Sequence, residues 1–65
     1  MSLDSEVRID LENEKGNKQA LMQKYSERQQ AIIKSYGGNF SDVPIDGESE
    51  YTKLQNKILI LHRLV

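Results

Sequence analysis

Apolar residues recur at three- and four-residue steps along the first half of the chain. Leu3, Val7 and Leu11 are followed by Met22, Tyr25, Ile32 and Tyr36, with Leu21 and Ile33 widening the stripe and polar Glu14, Lys18 and Gln29 on the same line. This spacing puts them on one face of an α-helix, whose turn takes 3.6 residues. Between Asn17 and Tyr36 the residues are mostly Lys, Gln, Ala, Leu, Met, Glu and Arg, which lose little freedom in a helix. Gly37-Gly38-Asn39 stops the pattern, since glycine readily takes the left-handed conformation found just past a helix C-terminus. Lys34 in the last turn suits the negative end of the helix dipole. The stripe predicts one long helix over residues 3–36, about 50 Å from end to end. It has a weak point at 16–17, where Gly16 costs about 1 kcal/mol relative to Ala.

Residues 5–15 also admit another period. Val7, Ile9 and Leu11 alternate with Arg8 and Asp10, as along a strand, and Glu14-Lys15-Gly16-Asn17 then reads as a turn. A strand needs a partner strand, and no other segment offers one. The helix is the favoured reading, although it leaves Ile9 off the apolar face.

Residues 37–46 form a connection that holds two of the four glycines and the only proline, with a third glycine, Gly47, immediately after it. It is long for a helix–helix turn, so Phe40, Val43 and Ile45 are expected to fold back onto the helices. A second helix follows over residues 47–65, with Asp46 as its expected N-cap and Glu48 and Glu50 near its positive end. Tyr51, Leu54, Ile58, Leu61 and Val65 keep the a/d spacing of helices that pair along a seam. Leu59, Ile60 and Leu64 make the end of this helix apolar nearly all round.

The fold class that follows is all-α: an antiparallel helical hairpin with a long first helix and a shorter second one. Helix 47–65 covers only the C-terminal half of helix 3–36, which leaves Leu3, Val7 and Leu11 without a partner in the chain. The apolar C-terminal end asks for a further cover, and a second copy related by a twofold axis supplies one. The expected assembly is a homodimer in a four-helix arrangement. Its interface is formed by Tyr51, Leu54, Ile58, Leu61 and Val65, together with Met22, Tyr25 and Ile32 of the first helix. The same stripe also suits a segment of a longer coiled coil.

Composition supports association and narrows the chemistry. Sixty-five residues without cysteine make one small domain with no disulfide and no thiolate metal site, a size at which oligomerisation often contributes to stability. Nine basic residues against ten acidic give a net charge of −1, without the cationic excess that drives nonspecific nucleic-acid binding. The longest apolar run, Ile58–Leu61, is far short of the ~20 residues of a membrane span, and a cytoplasmic location is expected. Asp42, Asp46, Gly47 and Glu50 can be laid on a calcium loop, but Pro44 and Lys53 fall where ligands three and twelve are needed. The lone His62 lacks the partner nucleophile and orienting group that a general base requires. No metal, cofactor or catalytic residue is assigned. The expected role is that of a noncatalytic protein–protein interaction or assembly module that binds itself. The alternative is a small regulatory or chaperone-like hairpin that captures a helix or face of a larger protein.

Overall fold

A computed structural model of the chain describes residues 2–64. Three helices, rather than the expected two, account for most of it: α1 (Leu3–Asn13), α2 (Lys18–Ser35) and α3 (Ile45–Arg63), with one 3-10 turn at Phe40–Asp42. There is no strand among the described residues, and the stretch whose alternation suggested one is α1. Ile9, the residue that fitted the strand but not the helical face, is 43% exposed on the outer side of α1.

The predicted 3–36 helix breaks at Glu14–Asn17. A single helix of that length, about 50 Å, could not lie within a molecule whose longest dimension is 35 Å. The stop is a Schellman turn: the Gly16 amide donates to the Leu11 carbonyl at 2.8 Å, and the Lys15 amide to that of Glu12 at 2.9 Å. Lys15 therefore takes the left-handed position, at φ 57°, where a residue with a Cβ pays roughly 1–2 kcal/mol. At the end of α2 the same turn is made with Gly37 in that position, at φ 96°, with Gly38 donating to the Ile33 carbonyl. Asn17 then starts α2, its side-chain oxygen accepting from the Ala20 amide, as Ser2 does for α1 from Ser5.

The packing directions follow from the cross-helix pairs. Arg28 meets Glu50 and Tyr25 meets Lys57, so α2 and α3 run antiparallel. Glu6 meets Lys53 and Asp10 meets Lys57, so α1 runs parallel to α3 and antiparallel to α2. The core is small: Val7, Leu21, Tyr25, Ile32, Val43, Leu54 and Leu61. Leu21, Leu61 and Val7 are fully enclosed, each contributing on the order of 1.5–3 kcal/mol. Val7 thus does have an intrachain partner surface, contrary to the expectation for the first turns of the chain. Gln29 is the one buried polar side chain among the described residues; its amide donates to the Tyr51 carbonyl and to Gln55 Oε1, at 3.3 and 3.0 Å.

The connection folds back only in part. Val43 is buried, and Phe40 packs edge-on against Tyr51 with ring centroids 4.9 Å apart. Ile45, expected to fold inward, is 80% exposed. The cap also differs from expectation: α3 begins at Ile45 after Pro44, with no side-chain cap bond, and Asp46 lies inside the first turn. Here α3 passes so near the loop that a Cβ on Gly47 would stand 2.8 Å from Val43 Cγ1 and 3.1 Å from Tyr36 Cε2. Only glycine fits without displacing the loop.

Candidate functional site

Among the described residues, the one place where polar side chains from all three helices converge is built around Asp10. Asp10 follows the buried Val7 on α1, Tyr25 follows the buried Leu21 on α2, and Lys57 precedes the buried Leu61 on α3, each by a single turn. The three enclosed residues therefore bring these polar neighbours together. Tyr25 Oη donates to Asp10 Oδ2 at 2.6 Å. Lys57 Nζ lies 3.6 Å from the same oxygen and 5.5 Å from the centre of the Tyr25 ring. The Lys57 side chain is 14% exposed, so its charge is held by the carboxylate and the ring face more than by water.

Burial pushes the Tyr25 phenol well above its ordinary range. The hydrogen bond to Asp10 and the negative charges of Asp10 and Glu6 push it further in the same direction. The phenol is thus a firm donor and the opposite of an activated base or nucleophile. A group whose proton is held more tightly in the folded state stabilises that state fully below its unfolded pKa, here 10.0, and loses the contribution as pH rises above that value. Stability should therefore fall with pH above about 10, and Tyr25→Phe should flatten that fall. Ultraviolet titration of the wild type against Tyr25→Phe should assign to Tyr25 an ionisation that appears only as helicity is lost. An ionisation of Tyr25 with helicity intact would contradict the arrangement.

Beside this cluster lies a cavity of about 230 Å³ lined by Asp10, Asn13, Leu21, Lys24, Tyr25, Arg28 and Leu54. It is smaller than the ~300–1,000 Å³ typical of ligand pockets. Its two cations are engaged, Lys24 with Glu14 at 3.1 Å and Arg28 with Glu50 at 3.0 Å. Among the described residues no group of three or more His, Cys, Asp or Glu could hold a metal ion. Of the residues laid on a calcium loop, Asp42 closes the 3-10 turn while Asp46, Gly47, Glu50 and Lys53 stand along α3, so the stretch is helix and not a loop around an ion. His62 is exposed in the last turn of α3.

The residues proposed to face a second copy are for the most part turned inward. Tyr25, Ile32, Leu54 and Leu61 belong to the chain's own core, and Met22, Tyr51 and Ile58 are half-buried against it. Val65 lies outside the described residues. α1 packs over part of what α2 and α3 leave uncovered, while Leu59 and Ile45 on α3 and Ile9 on α1 stay exposed. A groove of about 580 Å³ runs between α1 and the end of α3, lined by Arg8, Ile9, Leu11, Glu12, Lys15, Gly16 and Leu64. Sequence reasoning missed Asp10 and Lys57, which look like ordinary surface charges on the linear chain. Gln29 had a local sign, being a polar residue in line with Tyr25 and Ile32.

No known protein family matches the chain, and neither does any curated protein or solved structure. No helix among the described residues is long and apolar enough to cross a membrane.

Proposed function

We propose that the chain is a noncatalytic association module whose partner is a second copy of itself, meeting it through the α1 side of the groove between α1 and the end of α3. The observation that supports this is the order of residues on that side of α1. About Asp10 the charges are complementary when reversed: Arg8 stands opposite Glu12, one turn apart on the same face of α1. Two antiparallel copies of α1 related by a twofold axis level with Asp10 therefore bring Arg8 to the partner's Glu12 and set exposed Ile9 beside the partner's Ile9. A twofold interface requires this self-complementarity. The Asp10 carboxylates do not oppose each other, because each is turned inward to Tyr25 and Lys57. The net charge of −1 sets up little repulsion between copies. Leu64 adds apolar surface from α3.

Static light scattering across a concentration series tests the reading. The expected mass is twice the 7.5 kDa of the chain. Arg8→Glu places two like-charge pairs across the axis, each worth up to about 1 kcal/mol, and should weaken the dimer on the order of tenfold. Adding Glu12→Arg should restore it. A chain that stays monomeric throughout, or a double variant no tighter than Arg8→Glu alone, overturns the proposal.

A further inference from the structure

We propose that α1 is an exchangeable element: the bend at Glu14–Asn17 straightens, α1 and α2 become one helix, and α1 takes in a second copy the seat it holds in its own chain. This rests on the reading that the partner is another copy, and it adds a second mode of pairing.

Four observations carry it. First, the bend is held by backbone geometry alone at its apex. Lys15 sits exposed in the left-handed conformation, and nothing lies within 4 Å of the space a Cβ would fill on Gly16. The matching turn after α2 uses glycine in the strained position, so the stop between α1 and α2 is the weaker of the two. Second, the three-four spacing of Leu3, Val7 and Leu11 continues through Glu14 and Lys18 to Leu21 and Met22. A straight helix therefore places only polar residues at the crossing and recovers the backbone hydrogen bonds that the turn interrupts. Third, α1 buries one residue fully, Val7. Its remaining ties are the partly buried Leu11, the ion pairs Glu6–Lys53 and Asp10–Lys57, both at 3.6 Å, the Tyr25–Asp10 hydrogen bond at 2.6 Å and, where the bend begins, the Glu14–Lys24 pair at 3.1 Å. Such an element detaches before the α2–α3 pair does. Fourth, every one of those partners lies on α2 or α3, beyond the bend, so a second copy offers the same seat with the same charges.

The test uses the Glu6–Lys53 ion pair as a reporter of which chain supplies α1. Unlabelled and nitrogen-15-labelled chains are unfolded together, refolded and treated with a carbodiimide, which joins a carboxylate directly to a contacting amine. Cross-linked peptides joining Glu6 to Lys53 are then weighed. In an exchanged dimer about half of them carry one isotope from each chain; with α1 seated in its own chain, none do. Lys15→Ala with Gly16→Ala disfavours the bend and should drive the mixed fraction towards that half. Lys15→Gly relieves the bend and should lower the mixed fraction severalfold relative to wild type at equal concentration. If the alanine variant does not fold, wild type over a rising concentration series gives the reading, and its mixed fraction should climb with dimer mass. Folded dimers with only single-isotope Glu6–Lys53 cross-links overturn the exchange and leave face-to-face pairing standing. Monomers at every concentration overturn both.

Discussion

Leu61→Asp should unfold the chain rather than separate two folded copies. Leu61 is 0% exposed and sits one turn from Lys57 on α3, under the cover that α1 supplies. Truncation to alanine at such a site costs about 2–5 kcal/mol, and a carboxylate placed there without a partner costs several more or forces the site open. A chain this short has a core worth only about 3–5 kcal/mol of net stability, so either change removes most of it. Far-ultraviolet circular dichroism should show the helical signal of the aspartate variant largely gone, with no cooperative melt. A variant that kept its native melt and merely halved in mass would mean that Leu61 faces a partner, and the packing of α1 over α3 would be wrong.

That contrast shows what a linear pattern conveys. The apolar stripe over Tyr51, Leu54, Ile58 and Leu61 marks a helix face that must be covered, because the period is visible in the chain itself. It carries no information on whether the cover belongs to the same chain. With a straight helix over residues 3–36, nothing in the chain could reach the far side of α3, and a second copy was the natural candidate. Once the chain turns back at Gly16, α1 reaches it. The turn was signalled by Gly16 followed by Asn17, a residue past a helix end and then an N-cap. The signal was muted because Lys15, not glycine, occupies the left-handed position, and because Glu14 and Lys18 kept the helical spacing unbroken across it.

The polar cluster was less legible for a different reason. Asp10, Tyr25 and Lys57 are separated by fifteen residues or more along the chain, and their meeting depends on the directions of three helices. No local period encodes it. Gln29 could be noticed because it interrupts an apolar line, whereas Asp10 and Lys57 interrupt nothing. The same holds for the outer side of α1. The alternation of Val7, Ile9 and Leu11 imitates a strand, yet its physical meaning is that α1 is wetted on two sides, with Val7 enclosed and Ile9 outward. Ile9 is thereby left for the face on which a second copy is proposed to sit.

Deleting residues 1–12 should cost the remaining helices their fixed packing. The truncation removes Val7, whose burial is worth roughly 1.5–3 kcal/mol. It also removes Asp10, leaving the Tyr25 hydroxyl without its acceptor and Lys57 without its carboxylate, a further loss of about 1–3 kcal/mol. Leu61, enclosed in the full chain, then lies uncovered. Against a net stability of about 3–5 kcal/mol for so small a core, these losses leave α2 and α3 helical but loosely packed. The truncated chain should keep much of its circular-dichroism signal, melt without a sharp transition, and bind a hydrophobic dye that the full chain does not, the behaviour of a compact state without specific packing. A synthetic peptide of residues 2–14, added in excess, should dock on the vacated face and restore a cooperative melt by mass action. Glu6 and Asp10 give that peptide the charges that meet Lys53 and Lys57, so its Glu6→Lys, Asp10→Lys form should fail to rescue. If the truncated chain instead melts as sharply and as high as the full one, α1 contributes nothing to the core, and the first twelve residues must find their partner on another chain.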